Sequence, residues 1–171
     1  MKTIIIILAL AVVAVTAFKR KYEDRFMDYG VYFIQNREYA GVLTFVNETD
    51  ANGFPIWKAP IIYEFNSNSS AQRWRLDEAA LYTAFEIRPT KNENYVLEYV
   101  PETGIISWLT HWGNTKLWYL LDAGDEHTMI KHKRYDICLE ATGNHAPVVG
   151  VNCVGKPSQQ WMFKNVDAPA A

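Results

Sequence analysis

Two cysteines, Cys138 and Cys153, are the most reactive side chains in this 171-residue sequence, and they lie 153 − 138 = 15 residues apart. In an oxidising compartment such a lone pair forms a disulfide; in a reducing one it stays as two thiols or binds metal. A thiolate zinc site needs further ligands, and the sequence has no third cysteine to supply one. The four histidines, His111, His127, His132 and His145, are scattered and show no His-x-x-x-His or His-Glu-x-x-His spacing. No carboxylate pair stands out as the acid and base of glycoside hydrolysis. There is no Gly-x-Ser-x-Gly elbow and no phosphate-cradling glycine loop. These patterns predict a protein that is not an enzyme and holds neither metal nor cofactor. Asn47-Glu48-Thr49 and Asn68-Ser69-Ser70 are acceptor sequences for N-glycosylation, which would place Asn47 and Asn68 on surface loops.

The compartment is read from the first residues. Met1-Lys2, an apolar run from Ile4 to Val15 and then Thr16-Ala17 describe a secretory signal peptide over residues 1–17. The run is too short to span a bilayer comfortably; an uncleaved anchor is the alternative. Phe18-Lys19-Arg20-Lys21 then opens a charged arm, 18–28, which reads either as a trimming site or as a charged N-terminus. Secretion favours the disulfide over free thiols. The formal charge of −2 becomes −3 once Lys2 is removed, which predicts neither nucleic acid nor an anionic membrane as partner. No second apolar stretch is long enough to cross a membrane. The one basic cluster, Lys131-His132-Lys133-Arg134, reads as a solvated turn.

The elements that must carry these residues are strands. Val31–Ile34, Gly41–Val46, Ile61–Phe65, Tyr95–Val100, Ile105–Leu109 and Val148–Val151 are short, β-branched and aromatic, with turn-forming residues between them. Besides the signal segment, only Lys21–Met27 and Asp77–Ala80 look helical. Three tryptophans are periodic: 118 − 74 = 44 and 161 − 118 = 43. Two of them close a Gln-x-Trp triplet, Gln72-Arg73-Trp74 and Gln159-Gln160-Trp161; the third reads Lys116-Leu117-Trp118. A period of this length signals a repeated supersecondary unit. A hairpin precedes each tryptophan, with leucines 161 − 139 = 22, 118 − 97 = 21 and 74 − 43 = 31 residues upstream; the excess in the first repeat falls in Thr49–Pro60 as a loop insertion bearing Phe54 and Trp57. Three such units, at about 29–77, 79–122 and 124–166, cannot each bury an apolar face alone. Around a pseudo-threefold axis they share one core and close a barrel without exposed edges. The prediction is an all-β, β-trefoil domain over 29–166 with a short tail, 167–171, and with Trp74, Trp118 and Trp161 as equivalent buried positions.

Cys138-Leu139-Glu140, Gly143, Val148–Val151, Cys153, Gly155 and Gln159-Gln160-Trp161 resemble a ricin-type β-trefoil lectin repeat, whose pattern is Cys-Leu-Asp, a glycine-bearing turn, Cys-Asn-Gly and Gln-x-Trp. The resemblance implies that the Gln-x-Trp residues Gln72, Trp74, Trp118, Gln159 and Trp161 hold the fold. It implies that sugar is held elsewhere: by an acid after the leucine, by an aromatic ring two residues before the second cysteine, and by a polar residue before the glutamine. Such a set suits a neutral sugar, which offers many hydroxyls and a C–H face.

Carried over, the acid falls on Glu140 in the third repeat, Glu98 in the second and Thr44 in the first. The ring falls on Val151, which cannot stack, and on Trp108; Tyr63 lies one position out of register with them. The polar position falls on Ser158, and Asn114, His111 and Trp112 lie close to the second set. The resemblance thus implies a secreted, extracellular, metal-free carbohydrate-binding module for glycans or glycoproteins, with candidate contacts Glu98, Trp108, Asn114, Glu140 and Ser158. The second repeat carries most of the binding in this reading, since it alone pairs an acid with a correctly spaced ring. The alternative is a secreted trefoil of inhibitor or receptor-ligand type that binds a protein partner, with the inserted loop carrying Phe54 and Trp57 as a contact and with degenerate sugar sites.

Overall fold

The computed structural model describes residues 27–53, 56, 58–79 and 83–167. The signal-peptide reading, most of the charged arm, Phe54, Trp57 and residues 168–171 lie outside the described residues. The strands are β1 (Gly30–Asn36), β2 (Val42–Thr44), β3 (Ile61–Tyr63), β4 (Arg73–Glu78), β5 (Phe85–Pro89), β6 (Tyr95–Val100), β7 (Gly104–Leu109), β8 (Trp118–Gly124), β9 (His127–His132), β10 (Ile137–Glu140), β11 (Val149–Asn152) and β12 (Trp161–Asn165). Asp77 and Glu78, read from sequence as the start of a helix, end strand β4 instead. Trp74 and Leu76 are buried and alternate with less buried Arg75 and Asp77, which is the period of a strand.

The strands are arranged as a β-trefoil. β1, β4, β5, β8, β9 and β12 pair antiparallel in a closed ring, because β12 joins both β1 and β9. The hairpins β2–β3, β6–β7 and β10–β11 form one cap per repeat. The first cap carries the sequence insertion between Thr44 and Ile61, and its Lys58 carbonyl accepts the Ser107 N–H at 2.9 Å. One core cluster takes side chains from all three repeats, including Ile34, Leu43, Trp74, Leu97, Trp118, Ile130, Leu139 and Trp161. Closing the ring leaves no barrel strand with an unpaired edge.

The pseudo-threefold relation extends to single hydrogen bonds. The indole Nε1 of Trp74 donates to the Leu43 carbonyl at 2.8 Å, that of Trp118 to Leu97 at 2.9 Å and that of Trp161 to Leu139 at 3.1 Å. The Phe45, Tyr99 and Ala141 amides donate to the Ala71, Thr115 and Ser158 carbonyls at 2.8, 2.9 and 3.0 Å. Each acceptor stands three residues before its repeat's tryptophan. Where caps of neighbouring repeats meet, Gly150 is required: a Cβ there would stand 2.7 Å from Ile137 and 2.9 Å from the Tyr99 ring.

Asn36 and His132 are a further equivalent pair. The Asn36 side chain donates to the Ser158 carbonyl at 2.9 Å and accepts the amides of Glu38 and Tyr39. His132 donates from Nε2 to the Thr115 carbonyl at 3.1 Å and accepts the amides of Arg134 and Tyr135 at Nδ1. Those bonds need the neutral ring with hydrogen on Nε2 only. His132 is fully buried against Tyr99, Trp118 and Tyr135, and burial lowers its pKa. A lowered folded-state pKa means that the unfolded chain takes up the proton first. The stabilisation is therefore present above the ordinary histidine value of about 6.5 and is lost as pH falls below it. Below about pH 6.5 urea midpoints are expected to fall with pH, and His132→Asn, which copies the Asn36 pattern, is expected to flatten that slope.

Candidate functional site

The strand pairing defines three equivalent grooves, one beneath each cap. Leu43 pairs with Ile62, Leu97 with Ser107 and Leu139 with Gly150. The residues that follow each leucine are then Thr44, Glu98 and Glu140, and the ring positions are Tyr63, Trp108 and Val151. This corrects the register expected for Tyr63. Counted back from Trp74 it is one residue too far, but the extra residue lies between β3 and β4, and Tyr63 stands where Trp108 stands.

In the third groove the acid is consumed. Glu140 accepts the Gln159 Nε2 amide at 2.9 Å and the Lys156 ammonium at 2.8 Å, one on each oxygen. The bond from Glu140 raises the Lys156 pKa. Gln159 also donates to the Asn152 carbonyl and accepts the Val154 and Gly155 amides, so it ties the loop after β11 to the barrel. Ser158 is buried, and its carbonyl receives the Asn36 side chain and the Ala141 amide. The ring position is Val151. The ring position therefore offers no plate, and the acid position offers a carboxylate already bonded on both oxygens.

In the second groove Glu98 is 3% exposed and bonded to His111 Nε2 at 2.9 Å. Nδ1 of the same ring donates to the Trp112 carbonyl at 2.9 Å. The His111 pKa is raised by that carbonyl and by Glu98, against burial and the charge of Lys116. Trp108 is half-buried opposite Val96. Asn114 is exposed, with its carbonyl accepting the Leu117 amide at 3.3 Å. Lys116, in the glutamine's place, turns to Glu86 of β5 at 2.9 Å. What lines the depression is Thr110, His111, Trp112 and Lys116, and the Trp112 indole stands wholly in solvent.

The first groove is wider than the depression beside the second, with a volume of about 550 Å³ against about 280 Å³. Gln72 donates to the Glu64 carbonyl at 2.7 Å and to Thr44 Oγ1 at 3.3 Å, and accepts the Asn66 amide at 2.7 Å. It reproduces the tie that Gln159 makes. Thr44 supplies no carboxylate, but the groove wall carries Asn47, Tyr63, Glu64 and Asn66. Tyr63 is 45% exposed. One face of its ring stacks on His145 of the third repeat, 4.5 Å between centroids at 20°. His145 Nε2 meets Glu64 Oε1 at 2.5 Å, and that bond lowers the Glu64 pKa. Asn47 and Asn68, the candidate glycosylation positions, are both exposed, and Asn47 stands on this groove's wall.

The structure thus gathers the expected residues into different surroundings rather than into one set. Glu98 and Trp108 share a hairpin, Asn114 sits on the adjoining loop, and Glu140 and Ser158 lie in the third repeat, bonded into the frame. Sequence reasoning missed Lys156, the bonds of His111 to Glu98 and to the Trp112 carbonyl, and the pairing of His145 with Tyr63 and Glu64. Of these, only Lys156 carries a local signal, a cation three residues before Gln159.

No family model and no curated protein matches the sequence. Solved structures do match. A designed threefold-symmetric protein, ThreeFoil, aligns over 80% of this chain and 99% of its own, with a TM-score of 0.67 at 20% identity. The agglutinin of Rhizoctonia solani aligns over 84% of this chain and 99% of its own, at 0.66 and 16%. The ricin B-like lectin of Macrolepiota procera, solved with lactose, aligns over 82% of this chain and 99% of its own, at 0.62 and 16%. Several further matches are longer chains, of which this one spans half or less. These likenesses show that the fold is a β-trefoil.

Proposed function

We propose that the protein is a secreted, metal-independent carbohydrate-binding module and that its principal sugar site is the first groove. The observation that carries this reading is the Tyr63 ring. It is exposed, held flat by His145 on one face, and flanked by Asn47, Glu64 and Asn66. A pyranose stacks its C–H face on such a ring, while amides and a carboxylate take its hydroxyls. The lectin fold supports the same class of ligand. The weight moves from the second repeat to the first because Glu98 is buried against His111, whereas Tyr63 and its polar neighbours open to solvent.

A glycan array probed with the protein, followed by competition with the free sugar, tests the reading. Tyr63→Ala is expected to weaken binding at least about tenfold, roughly 1.4 kcal/mol, without altering the melting midpoint. Trp108→Ala is expected to change binding less. A blank array would overturn the reading in favour of a trefoil that docks on protein. One observation favours that second function: the carboxylates of Glu98 and Glu140 are both already bonded within the protein.

A further inference from the structure

Gln159 performs two tasks in the third repeat. Its amide holds the repeat's acid, Glu140, and it ties down the loop that follows the cap. Lys116 occupies the same position in the second repeat and does neither, because its ammonium is directed to Glu86 and Thr110. Both tasks are nevertheless done there. His111 Nε2 holds Glu98, and His111 Nδ1 holds the carbonyl of Trp112 in the following loop.

We propose that His111 is the second repeat's substitute for the Gln-x-Trp glutamine, and that it makes the placement of Trp112 and the availability of Glu98 depend on a proton.

The difference from glutamine lies in what the two partners accept. A carboxylate and a backbone carbonyl both only accept hydrogen bonds, so the ring satisfies both when each nitrogen carries hydrogen. A neutral imidazole has one N–H. Loss of the proton must therefore break one of the two bonds. Breaking the Nε2 bond frees a carboxylate whose side chain is otherwise 4% exposed. Breaking the Nδ1 bond frees the peptide that carries the fully exposed Trp112 indole. An amide strut such as Gln159 has no equivalent of this step.

The charges around His111 are mixed. Glu98 approaches from β6. Lys116, from the segment before β8, opposes the proton but is paired with Glu86 of β5. Arg88 of β5 donates to Thr110 Oγ1 at 3.2 Å and pairs with Asp77 and Glu86. His132 lies within the field of Glu98 and is neutral when its own hydrogen bonds are made. The net effect, together with the Trp112 carbonyl, holds the His111 pKa above its ordinary value. The strut is then intact below the unfolded-state pKa of about 6.5 and is released as pH rises through the folded-state value.

The test needs no sugar, so it stands apart from the reading of the first groove. The His111 ring protons and the Trp112 indole N–H are followed by NMR across a pH titration. The expected result is a His111 midpoint above about 6.5, with the Trp112 signal moving at the same midpoint. His111→Gln is expected to keep the thermal midpoint near that of the parent and to abolish the pH response of Trp112, since an amide restores the strut without the proton. The proposal is overturned if His111 titrates at or below the ordinary value. It is equally overturned if Trp112 stays fixed while His111 titrates, or if the Trp112 response survives in His111→Gln. Should that variant fail to fold, the titration of the unaltered protein decides alone.

Discussion

Trp161→Ala is expected to destabilise the protein by about 3–5 kcal/mol, with similar costs for Trp74→Ala and Trp118→Ala. All three side chains are 0% exposed and belong to one core cluster, so truncation leaves a cavity that the closed barrel cannot collapse around. A second cost adds to the first. Each indole N–H satisfies a leucine carbonyl, and removing the donor leaves that buried carbonyl without a partner. Trp161→Phe shrinks the first term without removing it: a six-membered ring stays in the core while the donor and part of the indole are lost, and the cost is expected to be smaller than for alanine. Set against a total stability of about 5–15 kcal/mol, the alanine variant approaches the whole margin. Denaturant midpoints decide the matter. An unchanged midpoint in Trp161→Ala would contradict the equivalence of the three positions.

That equivalence was legible in the sequence because it lies in local pattern. A tryptophan, a leucine about two strands upstream and a hairpin between them recur at nearly fixed spacing, and burial of one face demands the recurrence. The grooves were less legible because their state depends on partners that spacing does not reveal. Glu98 stands at the acid position, yet nothing in the interval to His111 announces that the ring folds back onto it. Glu140 occupies the equivalent place and is taken by Lys156 and Gln159. Tyr63 was displaced in the count by a single residue between β3 and β4, and its stacking partner, His145, comes from another repeat. The helix expected at Asp77 failed for a related reason. Charged and small residues suggested local helicity, but the buried alternation of Trp74 and Leu76 drew the segment into the barrel. Symmetry therefore governs the frame, where each residue faces the shared core. It lapses in the grooves, where each repeat has only its own neighbours to satisfy.

The second large effect is expected at the bridge between Cys138 and Cys153, which the structure contains. The three caps have the same topology but are closed by different means at the position of Cys153. In the first repeat Phe65 stands there and packs its edge on Phe33, with centroids 4.8 Å apart. In the second, the Thr110 amide donates to the Asn94 carbonyl at 2.7 Å. The third repeat has the covalent bond, with Cys138 fully buried against Leu121 and Met129. Closing a loop of 15 residues removes unfolded-state entropy worth about 3 kcal/mol. The double variant Cys138→Val with Cys153→Thr uses side chains that the second repeat places at the same two positions, so it removes the cross-link while filling the space. It is expected to fold and to lose about 3 kcal/mol in denaturant titration. Structural disulfides of this kind persist in oxidising surroundings. Intact mass after alkylation without reductant should show no added groups. Uptake of two would mean that the native protein carries free thiols, and an undiminished midpoint in the double variant would mean that packing alone holds the third cap.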